Sequence, residues 1–111
     1  MNLRWEDYGT TCVVELDGDL VSHASDALQR ACMERLDNGA RNLVIDVSAT
    51  PLVDSEGLET LLALSEEAVE RNGRCTLANP DPLFMSILEL TGLGDRLEIH
   101  DSVQEAARTL R

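Results

Sequence analysis

The stretch that most constrains the fold is residues 43–64, LVIDVSATPLVDSEGLETLLAL. Four of its first five residues are apolar and mostly β-branched, and only Asp46 interrupts them. An apolar run without alternation is typical of a strand that is covered on both faces. Residues 54–57 then place acidic and hydroxyl side chains ahead of a periodic apolar pattern, which is how many helices begin. The stretch therefore predicts a buried strand, a loop and a capped helix.

The remainder of the chain repeats this alternation of strands and helices. Further strands are predicted at residues 2–8, 11–16, 74–78 and 97–100, with the first two joined in a hairpin. Further helices are predicted at residues 22–36, 83–90 and 103–110, and the central helix ends at Asn72-Gly73. The predicted apolar side of the central helix consists of Leu58, Leu61, Leu62, Leu64, Ala68 and Val69. The predicted N-caps of the last two helices are Asp81 and Ser102, and Gly92 is the predicted left-handed residue after the third helix.

Strands that alternate with single helices favour parallel β–α units. We therefore expect an α/β fold with a mostly parallel sheet of four or five strands, an antiparallel edge formed by the N-terminal hairpin, and about four helices. A chain of 111 residues is long enough for one domain, which we place at residues 1–111. Binding sites in such sheets lie at the carboxyl ends of the strands, and residues 46–55 form one such end.

Composition narrows the possible partners. Nine basic residues, all of them arginine, stand against 21 acidic residues, which gives a net charge of −12. Such a surface repels phosphate backbones and favours a basic protein partner, so direct nucleic-acid binding is not expected. The chain has neither a membrane-span-length apolar run nor the apolar core of a signal peptide, which predicts a cytoplasmic protein without membrane insertion. Cys12, Cys32 and Cys75 are odd in number and widely spaced, which predicts reduced packing residues.

The sequence lacks residues that several kinds of catalytic and metal-binding site require. A calcium loop that began at Asp17 would need an oxygen ligand at Val21. A nucleophilic Ser55 would need a base, but His23 and His100 come without a nucleophile elbow or an oxyanion-hole glycine run. A receiver domain would need a lysine, which the chain lacks, and no phosphate-binding glycine pattern occurs. We therefore expect no enzymatic activity, no catalytic residue, no metal and no cofactor.

Four segments, in order along the chain, resemble the STAS domain of bacterial anti-sigma-factor antagonists. The central one is Asp54-Ser55-x-Gly57-Leu58, which follows Leu43-Val44-Ile45-Asp46-Val47-Ser48. The others are Leu16-x-Gly18-x-Leu20, Ala78-Asn79-Pro80 and Leu90-Thr91-Gly92-Leu93. The tetrapeptide alone would be weak evidence, but the four segments together span nearly the whole chain. The resemblance implies the STAS fold and a non-enzymatic, protein-binding function.

In the antagonists that this chain resembles, the serine after the motif's aspartate is phosphorylated by the anti-sigma factor, which is itself a serine kinase. The resemblance therefore implies that Ser55 is a phosphorylation site. The unphosphorylated protein would bind the anti-sigma factor kinase and free a sigma factor, and phosphorylation would end that binding. The partner-binding residues that it implies are Asp19, Val21, Ser22, Thr50, Asp54, Ser55, Glu56 and Gly57.

Two positions depart from the family pattern. Many members carry serine or threonine where this chain has Glu56, and aspartate where it has Val21. One alternative to the switch is that Ser55 only caps its helix. A second is a STAS subunit of a phospholipid-transport ATPase complex, which would grip the ATPase with the same surface, and a third is a hydrolase.

Overall fold

The computed structural model describes residues 1–110, which form a five-stranded sheet and four α-helices. The strands are β1 (Asn2–Tyr8), β2 (Thr11–Asp17), β3 (Asn42–Ala49), β4 (Cys75–Ala78) and β5 (Glu98–His100). The helices are α1 (His23–Asp37), α2 (Ser55–Glu70), α3 (Pro82–Thr91) and α4 (Val103–Thr109). A short 3-10 turn at Leu93–Asp95, which the sequence pattern did not predict, connects α3 to β5.

The sheet follows the order of the chain, from β1 at one edge to β5 at the other. β1 pairs with β2 in antiparallel fashion, whereas all later pairs are parallel. The predicted mostly parallel sheet with an antiparallel N-terminal edge is therefore confirmed. Because the helices return the chain to the start of each strand, the loops that follow β2 and β3 meet at the same end of the sheet.

The central strand β3 is buried on both faces, as its apolar run, interrupted only by Asp46, predicted. On one face, Leu43 and Ile45 belong to the main core with side chains of α1, α2 and α3. On the other face, Val44 packs in a small cluster whose helical member is Ala106 of α4. The two faces are thus covered unequally, by three helices on one side and by one short helix on the other.

The apolar side of α2 was predicted correctly except at one position. Leu58, Leu61, Leu64 and Ala68 are buried, but the Val69 side chain is 62% exposed. Each helical residue turns the chain by about 100°, so the residue after Ala68 lies beyond the edge of the buried stripe. The predicted pair of Glu67 and Arg71 is present, with Arg71 Nε 2.9 Å from Glu67 Oε1.

The end of α2 is packed tightly against the start of β3. Asn72 takes a left-handed conformation with φ of 64°, and Gly73 follows it. A Cβ atom at Gly73 would lie 1.8 Å from the Arg41 carbonyl oxygen, a distance that no side chain tolerates. Glycine is therefore required at this position by close backbone packing.

All three cysteines are buried free thiols, as predicted. The register places Leu43 beside Cys12 of β2 on one side and beside Cys75 of β4 on the other. Burial is the main cause that raises the pKa of Cys12 and of Cys75 to about 12, and it also raises the pKa of Cys32. These thiols are protonated at neutral pH and act as small apolar packing groups.

Candidate functional site

Two loops lie side by side where β2 and β3 end, at residues 18–22 and 50–54. The Leu20 N–H donates to the Leu52 carbonyl over 2.9 Å, and the Asp54 N–H donates back to the Leu20 carbonyl over 3.2 Å. Leu20 and Val53 form an isolated parallel bridge, so the two loops continue the pairing of their strands for a few residues. We call this pair of loops the double loop.

A hydrogen bond from the Thr50 side chain links the double loop to the sheet. Its side chain is fully buried, and its hydroxyl donates to the Leu16 carbonyl over 3.1 Å. A buried hydroxyl needs such a partner, because an unpaired one costs about 1–3 kcal/mol. Thr50 therefore shapes the surface from within rather than presenting a side chain on it.

The Asp54 carboxylate holds the double loop and α2 together. Asp54 is the N-cap of α2, and its Oδ1 accepts the Gly57 N–H over 2.8 Å. Its Oδ2 accepts the Ser22 N–H, 32 residues earlier in the chain, over 3.2 Å. The capping interaction follows from the sequence signature, whereas the contact with Ser22 is a tertiary feature that the signature does not contain.

Ser22 carries backbone strain at this site. Its φ is 41° and its ψ is −111°, outside the regions that a non-glycine residue readily adopts. It precedes α1 at the N-cap position, yet its own side chain makes no capping hydrogen bond. Strained residues of this kind persist where surrounding contacts enforce them, and here the contact is the Asp54 carboxylate.

Gly57 lets α2 approach the first loop closely. A Cβ atom at Gly57 would lie 2.5 Å from the Leu20 carbonyl oxygen and 2.8 Å from Val53 Cγ2. The glycine is buried, so its lack of a side chain serves packing within the protein. Like Thr50, Gly57 shapes the predicted surface without forming its outer layer.

Ser55 is the first residue of α2 and is exposed. Because Asp54 supplies the cap, the Ser55 side chain is not needed for capping. Exposed Glu56 follows it, and the exposed Asp19 and the 36% exposed Val21 come from the neighbouring loop. All eight predicted site residues therefore lie on the double loop or in the first turn of α2, with Thr50 and Gly57 as its buried supports.

The sequence pattern missed two apolar side chains at this end of the sheet. Leu52 in the double loop is 49% exposed, and Leu83 in the first turn of α3 is 51% exposed. Leu52 follows Pro51 in a loop, which is an unusual place for a large apolar side chain and is the one signal that the sequence offered. Together with Val21, Leu52 adds apolar contact area to the otherwise acidic surface of the double loop.

The exposed side chains around Ser55 offer acidic and apolar groups to a binding partner. Within residues 1–110, no cluster of three histidine, cysteine, aspartate or glutamate side chains is arranged to hold a metal ion. The His100 ring is engaged elsewhere, with Nε2 2.9 Å from Glu98 and Nδ1 3.3 Å from Glu105. The hydrogen bond with Glu98 raises the pKa of His100, which favours its charged form and makes it a poor general base.

Comparison with known proteins agrees with the fold. The STAS domain family model matches residues 2–106. A candidate anti-sigma factor antagonist from Thermotoga maritima has a similar structure, with a TM-score of 0.91 and 17% identity over 98% of this chain and 94% of that one. An anti-sigma factor antagonist from Mycobacterium paratuberculosis gives a TM-score of 0.85 at 25% identity over 99% of this chain and 93% of that one.

The Bacillus cell fate determinant SpoIIAA, solved in its phosphorylated form, is also similar. Its TM-score is 0.75 and its identity 24%, over 99% of this chain and all of that one. The five strands, the antiparallel edge and the four helices of this chain thus have counterparts in several solved structures of anti-sigma factor antagonists. By the family match over most of its length, this chain belongs to the STAS domain family.

Proposed function

We propose that this protein is an anti-sigma-factor antagonist whose exposed Ser55 is the phosphorylation site. The observation that carries the proposal is the position of Ser55, free of any capping role at the start of α2 and beside a rigid double loop. In the unphosphorylated state, the protein binds an anti-sigma factor serine kinase and frees a sigma factor. Phosphorylation of Ser55 ends that binding.

The residues around Ser55 explain how a phosphate would change the surface. A phosphoserine carries about −1.5 to −2 charges at neutral pH. The N-terminus of α2 would attract this charge by up to about 1 kcal/mol when it is exposed. Asp54 and Glu56 flank Ser55, however, and the carboxylate of Asp54 already accepts the Gly57 N–H, one of the free backbone amides in the first turn of the helix. The phosphate is therefore expected to face outward, towards the partner.

The rigidity of the double loop makes the surface sensitive to that charge. Leu20, Leu52 and Asp54 are linked by backbone hydrogen bonds, and Thr50 anchors them to the sheet. A surface held in this way cannot easily withdraw the new phosphate from an interface. A loss of about 1.4 kcal/mol weakens binding tenfold, so modest repulsion is sufficient to release a partner of micromolar affinity.

Glu56 and Val21 adapt the surface to a particular partner in this proposal. Glu56 places a permanent negative charge beside the acceptor hydroxyl, and Val21 supplies apolar contact where many family members have aspartate. A partner that approaches Ser55 therefore meets acidic groups next to the apolar side chains of Val21 and Leu52. This pattern favours a partner whose contact surface is both basic and apolar.

The test begins with capture of partners from the native host's cytosol on immobilised wild-type protein and on a Ser55→Glu variant. We expect the wild-type protein alone to retain a serine kinase of the anti-sigma factor class. Equal recovery of the same partner by both proteins would contradict the charge switch. Recovery of a transport ATPase in place of a kinase would favour a transporter subunit and reject the proposed function.

The recovered kinase is then incubated with Mg-ATP and the purified protein, and phosphate is located by mass spectrometry. Ser55→Ala should abolish incorporation, whereas Ser48→Ala, which removes another exposed hydroxyl at the end of β3, should leave it unchanged. Phosphate that persists on the Ser55→Ala protein would place the acceptor elsewhere.

A further inference from the structure

A groove of about 450 Å³ runs between α1 and α2, directly beside Ser55. Glu56 and Glu59 of α2 form one wall of the groove, and Asp26 of α1 faces them. Its remaining lining residues are Ser25, Gln29, Thr60 and Ala63. The groove thus combines three carboxylates with side chains that can accept further hydrogen bonds.

Ser25 contributes to the groove a hydroxyl group that has no hydrogen-bond partner within residues 1–110. The Ser25 side chain is only 1% exposed, and its hydroxyl has no partner among residues 1–110. A serine inside a helix commonly bonds to the carbonyl four residues earlier, but here that residue is Val21, which lies before α1. Buried hydroxyl groups are nearly always paired in folded proteins, so an unpaired one in the wall of a groove points to a ligand that supplies the partner.

The carboxylates of the groove also lack ion-pair partners among the described residues. In the part of the chain that the structure describes, Asp26, Glu56 and Glu59 take part in none of the ion pairs, which use acidic residues elsewhere. The same carboxylates form no metal-binding cluster among residues 1–110. The groove therefore presents unpaired negative charge that a cationic group with several donors can bond to.

We propose that the α1–α2 groove receives an arginine side chain of the protein partner, an inference that rests on the proposed binding function of the Ser55 surface. A guanidinium group has five N–H donors in a planar fork, so it can bond to carboxylates on both walls and to the Ser25 hydroxyl. A lysine has a compact charge and lacks this fork. Glu56 in the groove's wall directly follows Ser55 in the chain, so one partner can contact both.

The test uses the complete protein and a defined probe, and it does not require the partner. Amide resonances of the ¹⁵N-labelled protein are followed during titration with N-acetyl-arginine amide. We expect saturable shifts centred on Ser25, Asp26, Glu56, Glu59 and Thr60. The uncharged analogue N-acetyl-citrulline amide should bind at least tenfold more weakly, and N-acetyl-lysine amide at least threefold more weakly.

Two variants and a matched control define the contacts. Glu59→Gln should weaken arginine binding at least threefold, and Ser25→Ala, which changes no charge, at least twofold. Glu89→Gln removes one exposed carboxylate from α3, away from the groove, and should leave the affinity within about 1.5-fold. Equal weakening by Glu59→Gln and Glu89→Gln would show general charge attraction and overturn the assignment.

Three further results would also overturn the inference. They are equal binding of arginine and citrulline probes, shifts centred on Asp19 and Ser22 instead of the groove, and tighter binding of Mg²⁺ or Ca²⁺ at the same amides. The outcomes separate this inference from the proposed function. Failure of Ser55 phosphorylation with a positive titration rejects only the switch, whereas phosphorylation with a negative titration rejects only the arginine site.

Discussion

The two ends of the sheet use charged residues in opposite ways. At the end where the parallel strands begin, which we call the amino end, Arg71 lies 2.8 Å from Asp37 and 2.9 Å from Glu67. Nearby, Arg35 stacks over the Trp5 ring at 4.5 Å from its centroid and lies 3.4 Å from Asp7. Here arginine and acidic side chains neutralise one another within the protein.

At the Ser55 end, Asp19, Asp54 and Glu56 have no arginine partner within residues 1–110. The Asp54 carboxylate is bound by two backbone amides, those of Ser22 and Gly57. Asp19 and Glu56 take part in none of the ion pairs in the described part of the chain. Charged side chains at the amino end are therefore paired within the protein, whereas those at the Ser55 end are available to a partner.

Each end contains one glycine that close packing requires, and replacing either gives the largest expected loss of stability. Gly73→Ala at the amino end would drive a Cβ atom into the Arg41 carbonyl, and we expect it to lower the free energy of unfolding by about 3 kcal/mol or more. Gly57→Ala meets Leu20 less closely and should lower it by about 2 kcal/mol. Urea denaturation measures both values.

The two glycine variants also separate the ends. Only Gly57→Ala should shift the amide resonances of Ser22 and Asp54, because only this substitution displaces the Leu20 carbonyl that accepts the Asp54 N–H. Equal perturbation of those resonances by Gly73→Ala would show that the ends are coupled rather than distinct.

Asp54 should contribute more to stability than an ordinary helix cap. Asp81 is the matched control, because it caps α3 by accepting the Phe84 N–H over 2.8 Å. Alanine at either position removes a cap that contributes about 1 kcal/mol. Asp54→Ala also removes the acceptor of the Ser22 N–H, so its loss should exceed that of Asp81→Ala by about 0.5–1 kcal/mol. Thermal or chemical denaturation that gives equal losses would mean that the contact with Ser22 adds nothing.

Relief of backbone strain should give the next largest difference in stability between the two ends. Ser22→Gly relieves a backbone conformation of a kind that costs about 1–3 kcal/mol. Glycine also gives the unfolded chain more conformational freedom, which lowers stability by about 0.4–1 kcal/mol. We therefore expect Ser22→Gly to raise the free energy of unfolding by up to about 2.5 kcal/mol. Asn72→Gly, at the amino end, relieves little because asparagine tolerates its left-handed φ of 64°. A destabilised Ser22→Gly protein would show that the Ser22 conformation is not strained.

Removal of a single charge at each end should give the smallest difference in stability between the two ends. Arg71→Met leaves Asp37 and Glu67 unpaired, so the melting temperature should fall at low salt, and the difference should shrink in high salt. Glu59→Gln removes an unpaired carboxylate near Ser55, so the melting temperature should be unchanged or slightly higher. Scanning calorimetry at two salt concentrations checks both, and a clear loss of stability in Glu59→Gln would break the contrast between the ends.

Features encoded by neighbouring residues were predicted well from the sequence. The predicted caps Asp81 and Ser102 each accept the N–H three residues later. For the central helix the local pattern allowed either Asp54 or Ser55 as the cap, and the structure has Asp54. The buried β3 run and the left-handed Gly92 are confirmed for the same reason. Periodicity, capping and turn residues act within one or two helical turns, so they can be read without knowledge of the tertiary structure.

Features that join distant segments were not predictable in the same way. The contact of Ser22 with Asp54 spans 32 residues and depends on the register between two loops. The Gly57 and Gly73 packing distances and the unpaired Ser25 hydroxyl likewise arise only when helices and strands are docked. The sequence thus indicated where the candidate site lies, whereas its rigidity and its groove follow from tertiary packing.

The most direct test of the account is the affinity of the anti-sigma factor kinase for this protein before and after phosphorylation of Ser55. Calorimetric titration with the unmodified and the phosphorylated protein at the same salt concentration gives both values. We predict binding at least tenfold weaker after phosphorylation, a difference of at least about 1.4 kcal/mol. Equal affinities would contradict the claim that the Ser55 end is a phosphorylation-controlled binding surface.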